Sequence, residues 1–304
     1  MVSKMKKISL KTIIIASASF LALVIGIIVT IVIVCNKADE EYRNIKVYKI
    51  DGTSEVYRGN DDLNLEPYVD MKLENNDSVK TFDESYLYLK LDMDKYLLSE
   101  PNTLFDLVAS GSENNSKTKI VLKKGAITIH VTEKLGDEEE FIVSVNNTTM
   151  AIRGTSLRVS IIEENGVNRI CLEVFDGKVF VQYGEIEKEV LEGSTAMFVE
   201  NDIDLSNALD YYDLEIETLE FLNFGIDEGN ELTASKEEIK NIIDRKTQTY
   251  TVKYIYNDSV FAILENVAYS QTIKEPSLKP TENGYWNYDF SKPITDNIEI
   301  IWVE

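Results

Sequence analysis

Apolar and polar residues alternate along most of the chain between residues 44 and 200. In the segment 86–91, YLYLKL, leucine fills every second position, and the segments 126–131 and 140–145 repeat this pattern. Successive side chains of a β-strand point to opposite faces, so a period of two predicts strands with one buried and one exposed face. The same alternation predicts an exposed position for His130.

Turn-forming residues separate these predicted strands. Asp176-Gly177 lies between two apolar runs, and this pair is the preferred sequence of a two-residue type I′ hairpin turn. Short strands with regularly spaced turns between them predict a mainly β fold, with an all-β domain of sandwich, barrel or solenoid type. Further turn signals occur at Asp51-Gly52, Asn165-Gly166 and Gly193.

The pattern becomes helical after residue 200. Ser235 and Glu238 have the spacing of a capping box at the start of an apolar stripe, which predicts the beginning of a helix. Gly225 is a candidate end for a preceding helix. We therefore expect residues 201–248 to form a short helical connector.

Residues 249–304 return to strand-like segments, with a middle that is rich in proline and aromatic residues. A unit of about 55 residues lies near the lower size limit for a domain that folds alone. We expect a small second β module in this region.

Residues 12–35 contain no charged side chain. At a rise of about 1.5 Å per residue, a helix of this length crosses the roughly 30 Å hydrocarbon core of a bilayer. A cleaved signal peptide is the alternative, but its apolar run is shorter and ends at a small-residue cleavage site. We therefore expect the fold class to include an N-terminal transmembrane helix at 12–35, followed by juxtamembrane residues 36–43.

The orientation of this predicted span follows from the lysines in residues 1–11. Basic residues favour the cytoplasmic side, so we expect a single-pass protein of the cell membrane with a cytoplasmic N-terminus and extracellular C-terminal domains. Small residues at every fourth position predict a candidate helix-dimer face, and thus a homodimer through the span. They are Ala18, Ala22, Gly26 and Thr30. The alternative is that small residues are common in membrane helices.

The net charge of −22 over 304 residues argues against one class of binding partner. An acidic protein repels phosphate groups, which argues against binding to nucleic acid.

His130 is the only histidine, and Cys35 and Cys171 are the only cysteines, which are too few for a typical zinc site. The chain has no phosphate-binding glycine motif and no nucleophile elbow, so we predict no catalytic residue, no cofactor and no enzymatic activity. Acidic clusters such as 136–140 lack EF-hand spacing and fit solvated turns better than calcium sites.

The triplet Arg153-Gly154-Thr155 interrupts a strand-like segment. Glycine adopts backbone conformations that other residues avoid, so Gly154 permits a bulge or corner between strands. The five donors of Arg153 suit hydrogen bonds to loop carbonyls, and Thr155 favours re-entry into a strand. A structural corner is the favoured interpretation, and a ligand contact by Arg153 is the alternative.

This triplet is also the strongest element in a wider resemblance. Ile152–Leu157 fits a V-R-G-T-x-F/L pattern, and Val174–Val179 fits a following V-x-D/E-G-x-V pattern. Together with VYKIDGTSEVYRG near the start and VLEGSTAMF near the end, these segments make residues 44–200 resemble the FecR domain. The resemblance implies that the family signature falls on Arg153, Gly154, Thr155, Asp176 and Gly177.

Residues 249–304 are similar to a second family. The segments YTVKYIY, EPSLKPTENGY and WNYDFSKPITDNIEIIW resemble the internalin-type B-repeat of bacterial surface proteins, in a shortened form. That resemblance implies a β-grasp-like module and a place on an adhesin.

Two functions follow from these resemblances. FecR proteins of Gram-negative bacteria pass a receptor signal to a sigma factor through a cytoplasmic domain, and residues 1–11 are too few to form one. The first hypothesis is a membrane-anchored, extracytoplasmic binding, scaffold or adhesion protein whose partner is an extracellular or cell-wall protein or polysaccharide. The alternative is a transmembrane signal-transduction regulator that acts through a partner membrane protein.

Overall fold

The structure, a computed structural model, describes five segments of the chain: residues 43–59, 63–112, 115–164, 166–199 and 202–304. The predicted span at 12–35 lies outside these segments, and so do the residues of the candidate dimer face, Ala18, Ala22, Gly26 and Thr30. Within the five segments, no helix combines the length and the apolar character that a membrane crossing requires.

The predicted fold class is therefore corrected. The described segments are mainly β with two α-helices, and they do not support a fold class that contains an N-terminal transmembrane helix. The location and orientation at the cell membrane stay predictions.

The strands between residues 45 and 208 form a two-sheet β domain. In chain order they are β1 (Ile45–Asp51), β2 (Ser54–Arg58), β3 (Leu63–Leu65), β4 (Ser78–Thr81), β5 (Tyr86–Leu91), β6 (Lys95–Ser99), β7 (Leu104–Ser110), β8 (Lys117–Lys124), β9 (Ala126–Val131), β10 (Glu140–Val145), β11 (Thr148–Ile152), β12 (Ser156–Glu164), β13 (Val167–Asp176), β14 (Lys178–Tyr183), β15 (Ile186–Leu191), β16 (Ser194–Val199) and β17 (Asp202–Ala208).

In both sheets, neighbouring strands follow one another largely in the order in which they occur along the chain. Sheet A has the order β1-β5-β6-β9-β12-β13-β16-β17, and sheet B has the order β15-β14-β11-β10-β8-β7-β4-β2-β3. The chain crosses repeatedly between the sheets as it advances along them, and all strand pairs in these sheets are antiparallel except β8 with β10. The inward leucine, isoleucine and valine residues of both sheets form one continuous core.

The segment predicted as a helical connector, 201–248, begins with a strand. β17 pairs with β16 in sheet A, and two helices follow it: α1 (Ile216–Asp227) and α2 (Lys236–Thr247). The predicted capping box is confirmed, because Ser235 caps α2 and Glu238 bonds back to the Ser235 backbone. α1 does not end at Gly225 as predicted. Gly225 instead lets the helix approach the ring of His130, where an added Cβ would collide.

These helices cover the outer face of sheet A. Every residue of β6 and β9 is buried, whereas β8 in sheet B alternates between buried and exposed positions. A small apolar cluster joins Phe175 on β13 to Leu219 and Leu222 on α1 and to Ile239 on α2. The region therefore has three layers, and the middle one, sheet A, is buried on both faces.

A separate four-stranded sheet forms the C-terminal module. Its strands are β18 (Thr249–Tyr256), β19 (Ser259–Ala268), β20 (Tyr285–Trp286) and β21 (Ile298–Val303), in the order β19-β18-β21-β20. β18 and β21 run parallel at the centre. The module has its own aromatic core, in which the rings of Trp286 and Trp302 lie 5.1 Å apart.

Candidate functional site

His130 holds α1 against the outer face of sheet A. The side chain is fully buried, which corrects the predicted exposed position; alternation identifies the second face of β9 but not the helix that covers it. Its Nε2 lies 2.9 Å from the Phe221 carbonyl oxygen and its Nδ1 lies 2.8 Å from Ser156 Oγ. Because a carbonyl only accepts, Nε2 donates to Phe221 and Nδ1 accepts from Ser156. Burial lowers the pKa of His130 to about 4, so the ring is neutral at pH 7.

An aromatic cluster extends this contact along the helix. Tyr96 and Phe224 meet edge to face at 4.9 Å, and Tyr88 and Phe221 meet at 5.9 Å. The Tyr96 hydroxyl also donates to Glu228 Oε2 at 2.6 Å, just beyond the end of α1. Each aromatic pair stabilises the packing of α1 on sheet A by about 0.5–1.5 kcal/mol beyond the effect of the apolar area that it buries.

A buried ion cluster lies on the same face, beside the helices. Arg158 on β12 donates from Nε and Nη2 to the two oxygens of Glu100, at 2.8 and 2.9 Å, and from Nη1 to Glu173 Oε2 at 2.7 Å. Thr128 Oγ1 donates to Glu100 as well, at 2.9 Å. Two carboxylates face one guanidinium, so the cluster carries a formal charge of −1. Burial raises the pKa of Glu173 although Arg158 opposes that shift.

A cavity of about 810 Å³ opens above this cluster, and we name it the sheet A cavity. Its polar wall includes Glu100, Arg158, Ser160, Glu173, Asp210 and Asp213. Cys171 also lines it, and burial raises the pKa of this thiol to about 12, so the sulfur is a protonated wall group and not a nucleophile. Asp213 ends the 3₁₀ turn Tyr211–Asp213, which leads directly into α1.

The predicted signature residues lie at two crossings between the sheets. Gly154 has a φ of +79° between β11 in sheet B and β12 in sheet A, and Gly177 has a φ of +74° between β13 in sheet A and β14 in sheet B. The crossings touch, because a Cβ on Gly177 would lie 2.8 Å from the Gly154 carbonyl oxygen. Thr155 is fully buried there. The predicted type I′ hairpin at Asp176-Gly177 is wrong, since the strands on either side belong to different sheets.

The two charged signature residues make different contacts. Arg153 is about half exposed and pairs with the Asp137 carboxylate at 2.8 Å. Asp176 Oδ2 accepts from Asn230 Nδ2 and from the backbone N–H of Glu231, both at 3.1 Å, which ties this crossing to the loop after α1. Neither residue lines the sheet A cavity.

A known protein family matches part of the two-sheet β domain. Residues 77–180 match the model of the family described as FecR protein. These residues form a FecR domain. The match lies within the predicted range of 44–200 and includes both signature crossings. The predicted B-repeat at 249–304 is not shown by any of these comparisons and stays a prediction.

Two crystal structures of a proposed anti-sigma factor from Parabacteroides distasonis resemble the chain weakly. Each has 10% sequence identity and covers 75% of this chain and 98% of that chain, with TM-scores of 0.37 and 0.36. Similarity at this level carries no conclusion for the present protein. No curated protein matches the chain.

The ion cluster of the FecR domain was not identified from the sequence. Glu100 follows β6, Arg158 lies on β12 and Glu173 lies on β13, so 73 positions separate the first residue from the last. The one local signal was that Arg158 and Glu173 each interrupt a run of apolar and small residues. The pairing of β12 with β13 sets Arg158 opposite Glu173, and the pairing of β9 with both β6 and β12 brings Glu100 to the same place.

Proposed function

We propose that this protein is a non-enzymatic signal-transduction regulator, in which the FecR domain binds a ligand and passes the change to a partner protein. The observation that carries the proposal is the FecR match over residues 77–180. It supports the regulator over the adhesion or scaffold hypothesis, because the resemblance connects this family with the transfer of a signal. It lends no support to a cell-wall partner or to a homodimer through a membrane helix.

The arrangement of the outer face of sheet A supports a regulatory role. Asp213 lines the sheet A cavity and ends the turn Tyr211–Asp213, and this turn leads into α1. A ligand that moves this turn would change the packing of α1 on His130 and on the aromatic cluster. A ligand shifts an equilibrium only through different affinities for two states, and a helix that docks through a small set of contacts provides such a pair of states.

The reactive side chains of this region are held in unreactive forms, which supports a non-enzymatic role. His130 is fully buried, and both of its ring nitrogens are occupied by Ser156 and by the Phe221 backbone. Cys171 is kept as a thiol by burial. A general base has to reach its substrate, which the buried ring of His130 does not, and a thiol nucleophile has to ionise, which the raised pKa of Cys171 opposes.

The test compares transcription and attachment in the same strains. A deletion strain of the source organism is complemented with the wild-type gene or with an empty vector, and transcripts and surface attachment are measured together. We expect the deletion to change a defined set of transcripts, which the wild-type gene restores. Normal transcripts combined with a loss of attachment would refute the regulator and favour the adhesion hypothesis.

A further inference from the structure

The outer face of sheet B carries exposed apolar side chains, whereas α1 and α2 cover the outer face of sheet A. We name the outward surface of the neighbouring strands β15, β14, β11, β10 and β8 the sheet B face. Phe180 on β14 is 49% exposed there, and Leu191 on β15 is 54% exposed. An exposed apolar patch with a charged rim is typical of an interaction surface.

The strand register places five outward side chains of this face in one row. Glu189 on β15 lies beside Phe180, which lies beside Ala151 on β11. Ile142 on β10 and Lys119 on β8 continue the row. Positions next to them along the strands contribute to the core, so the row itself points outward. The row therefore has an acid at one end, a base at the other and apolar residues between them.

A row with this order is complementary to its own reverse. Sheets that pack face to face keep their strands within about 30° of each other, and most homodimers have a two-fold axis. With the axis along β11, between two copies of the face, Glu189 faces the partner's Lys119 and Phe180 faces the partner's Ile142, while Ala151 lies at the axis. We propose that two copies of this chain form a dimer in this way. The inference does not depend on the proposed function.

The next row of the face supports the same axis. Lys178 precedes Phe180 by two positions and Glu140 precedes Ile142 by two, and β14 and β10 run in the same direction because both are antiparallel to β11. Lys178 therefore faces the partner's Glu140. Among the described residues, Lys119 and Glu140 have no ion pair of their own, so their charges are free for a partner. An axis across the strands would instead place Glu189 on the partner's Glu189.

The size of the sheet B face limits the strength of the dimer. Five strands about 4.8 Å apart and about six residues at about 3.3 Å each give a face of about 24 Å by 20 Å, or about 480 Å². A standard interface buries about 800 Å² on each partner. The net charge of −22 also makes two copies repel each other. We therefore expect a reversible dimer with a Kd in the micromolar range.

Charge reversal on the full chain tests the contact, with sedimentation velocity in mild detergent as the measure of dimerisation. Glu189→Lys and Lys119→Glu each bring like charges together at two symmetric places, so each should weaken the dimer at least about tenfold. In an equal mixture each variant supplies the charge that the other lacks, and dimerisation should return to the wild-type level. Phe180→Ala changes no charge and should weaken the dimer about tenfold. Lys274→Glu, at an exposed lysine of the C-terminal module, is the matched control and should have no effect.

A cross-link at the axis gives a second readout, which a contact through the predicted helix-dimer face does not provide. Ala151→Cys is combined with Cys35→Ser, and Cys171 is buried. Packed sheets lie about 10 Å apart, a gap that a short bismaleimide can bridge. We expect a cross-linked dimer, its loss when Glu189→Lys is added, and its return when that protein is mixed with the same cysteine variant carrying Lys119→Glu.

Three outcomes would overturn the proposal. The first is a wild-type chain that stays monomeric at several hundred micromolar. The second is a mixture of Glu189→Lys and Lys119→Glu that dimerises and cross-links no better than either variant alone, since the two-fold axis along β11 requires the rescue. The third is equal weakening by Lys274→Glu and Lys119→Glu, which would show a general effect of net charge. Far-UV circular dichroism of each variant checks that the fold is retained.

Discussion

Acid should destabilise this protein through His130 at a pH where ordinary carboxylates are still ionised. The pKa of His130 falls from its ordinary value of 6.5 to about 4 because the ring is buried. The folded state therefore binds fewer protons than the unfolded state between these two values. Stability is fully present above about pH 6.5 and is lost as the pH falls toward 4.

The expected magnitude follows from the size of the shift. About 2.5 pH units at 1.36 kcal/mol per unit give about 3 kcal/mol in total, of which about 2 kcal/mol is lost by pH 5. Glu173 acts in the opposite direction: burial raises its pKa, so the folded state takes up its proton more readily and gains stability as the pH falls. A measurement on the wild-type protein alone would mix these two effects.

The variant His130→Gln isolates the contribution of the histidine. Glutamine keeps a donor for the Phe221 carbonyl but does not titrate, and His130 is the only histidine in the chain. We expect the variant to be less stable than wild type at pH 7.5 by about 1–3 kcal/mol, because the bond with Ser156 is lost or weakened. The difference between the two proteins should then shrink by about 2 kcal/mol at pH 5.

Urea unfolding followed by tryptophan fluorescence and by far-UV circular dichroism measures these free energies at pH 7.5, 6.5, 5.5 and 5. Two probes are needed because the C-terminal module has its own core and contains both tryptophans. A difference between wild type and His130→Gln that stays constant over this pH range would refute the reasoning, since it would mean that the buried ring does not resist protonation.

Three further predictions concern the sheet crossings and the ion cluster, each checked by urea unfolding at pH 7.5. Gly177→Ala should lower the free energy of unfolding by about 2–4 kcal/mol, because the new Cβ meets the Gly154 carbonyl oxygen. Gly166→Ala is the control, since Gly166 has a similar φ of +77° but open space around it, and this variant should lose only about 1 kcal/mol. Equal losses in the two variants would contradict the contact between the crossings. Arg153→Ala should cost less than about 1 kcal/mol, because its ion pair is exposed, and a larger loss would indicate a structural role that its contacts do not explain. Arg158→Ala should cost about 3–5 kcal/mol, because it leaves two buried carboxylates without their cation, and a neutral result would show that the cluster is hydrated.

Local sequence patterns were sufficient for many strands of the β domain, but not for β17, which lies in the segment that was predicted as a helical connector. A period of two identifies strands such as β5 and β9 because it reflects the geometry of a single extended segment. The capping box of α2 is equally local, since Ser235 and Glu238 are three positions apart. The signature that marked the FecR domain is also local, because it consists of two short segments, Ile152–Leu157 and Val174–Val179, and the family match at 77–180 needed no structure.

What covers each strand depended on the tertiary structure. Alternation gives β9 two faces, but it does not show that α1, some 90 positions later, covers the one that carries His130. Asp176-Gly177 has the sequence of a hairpin turn, which would pair β14 with β13. In the structure β14 pairs with β11 instead, so the chain crosses to sheet B at this point. Arg158 meets Glu100 and Glu173 for the same reason: strand pairing between distant segments, and not local spacing, determines which buried charges become neighbours.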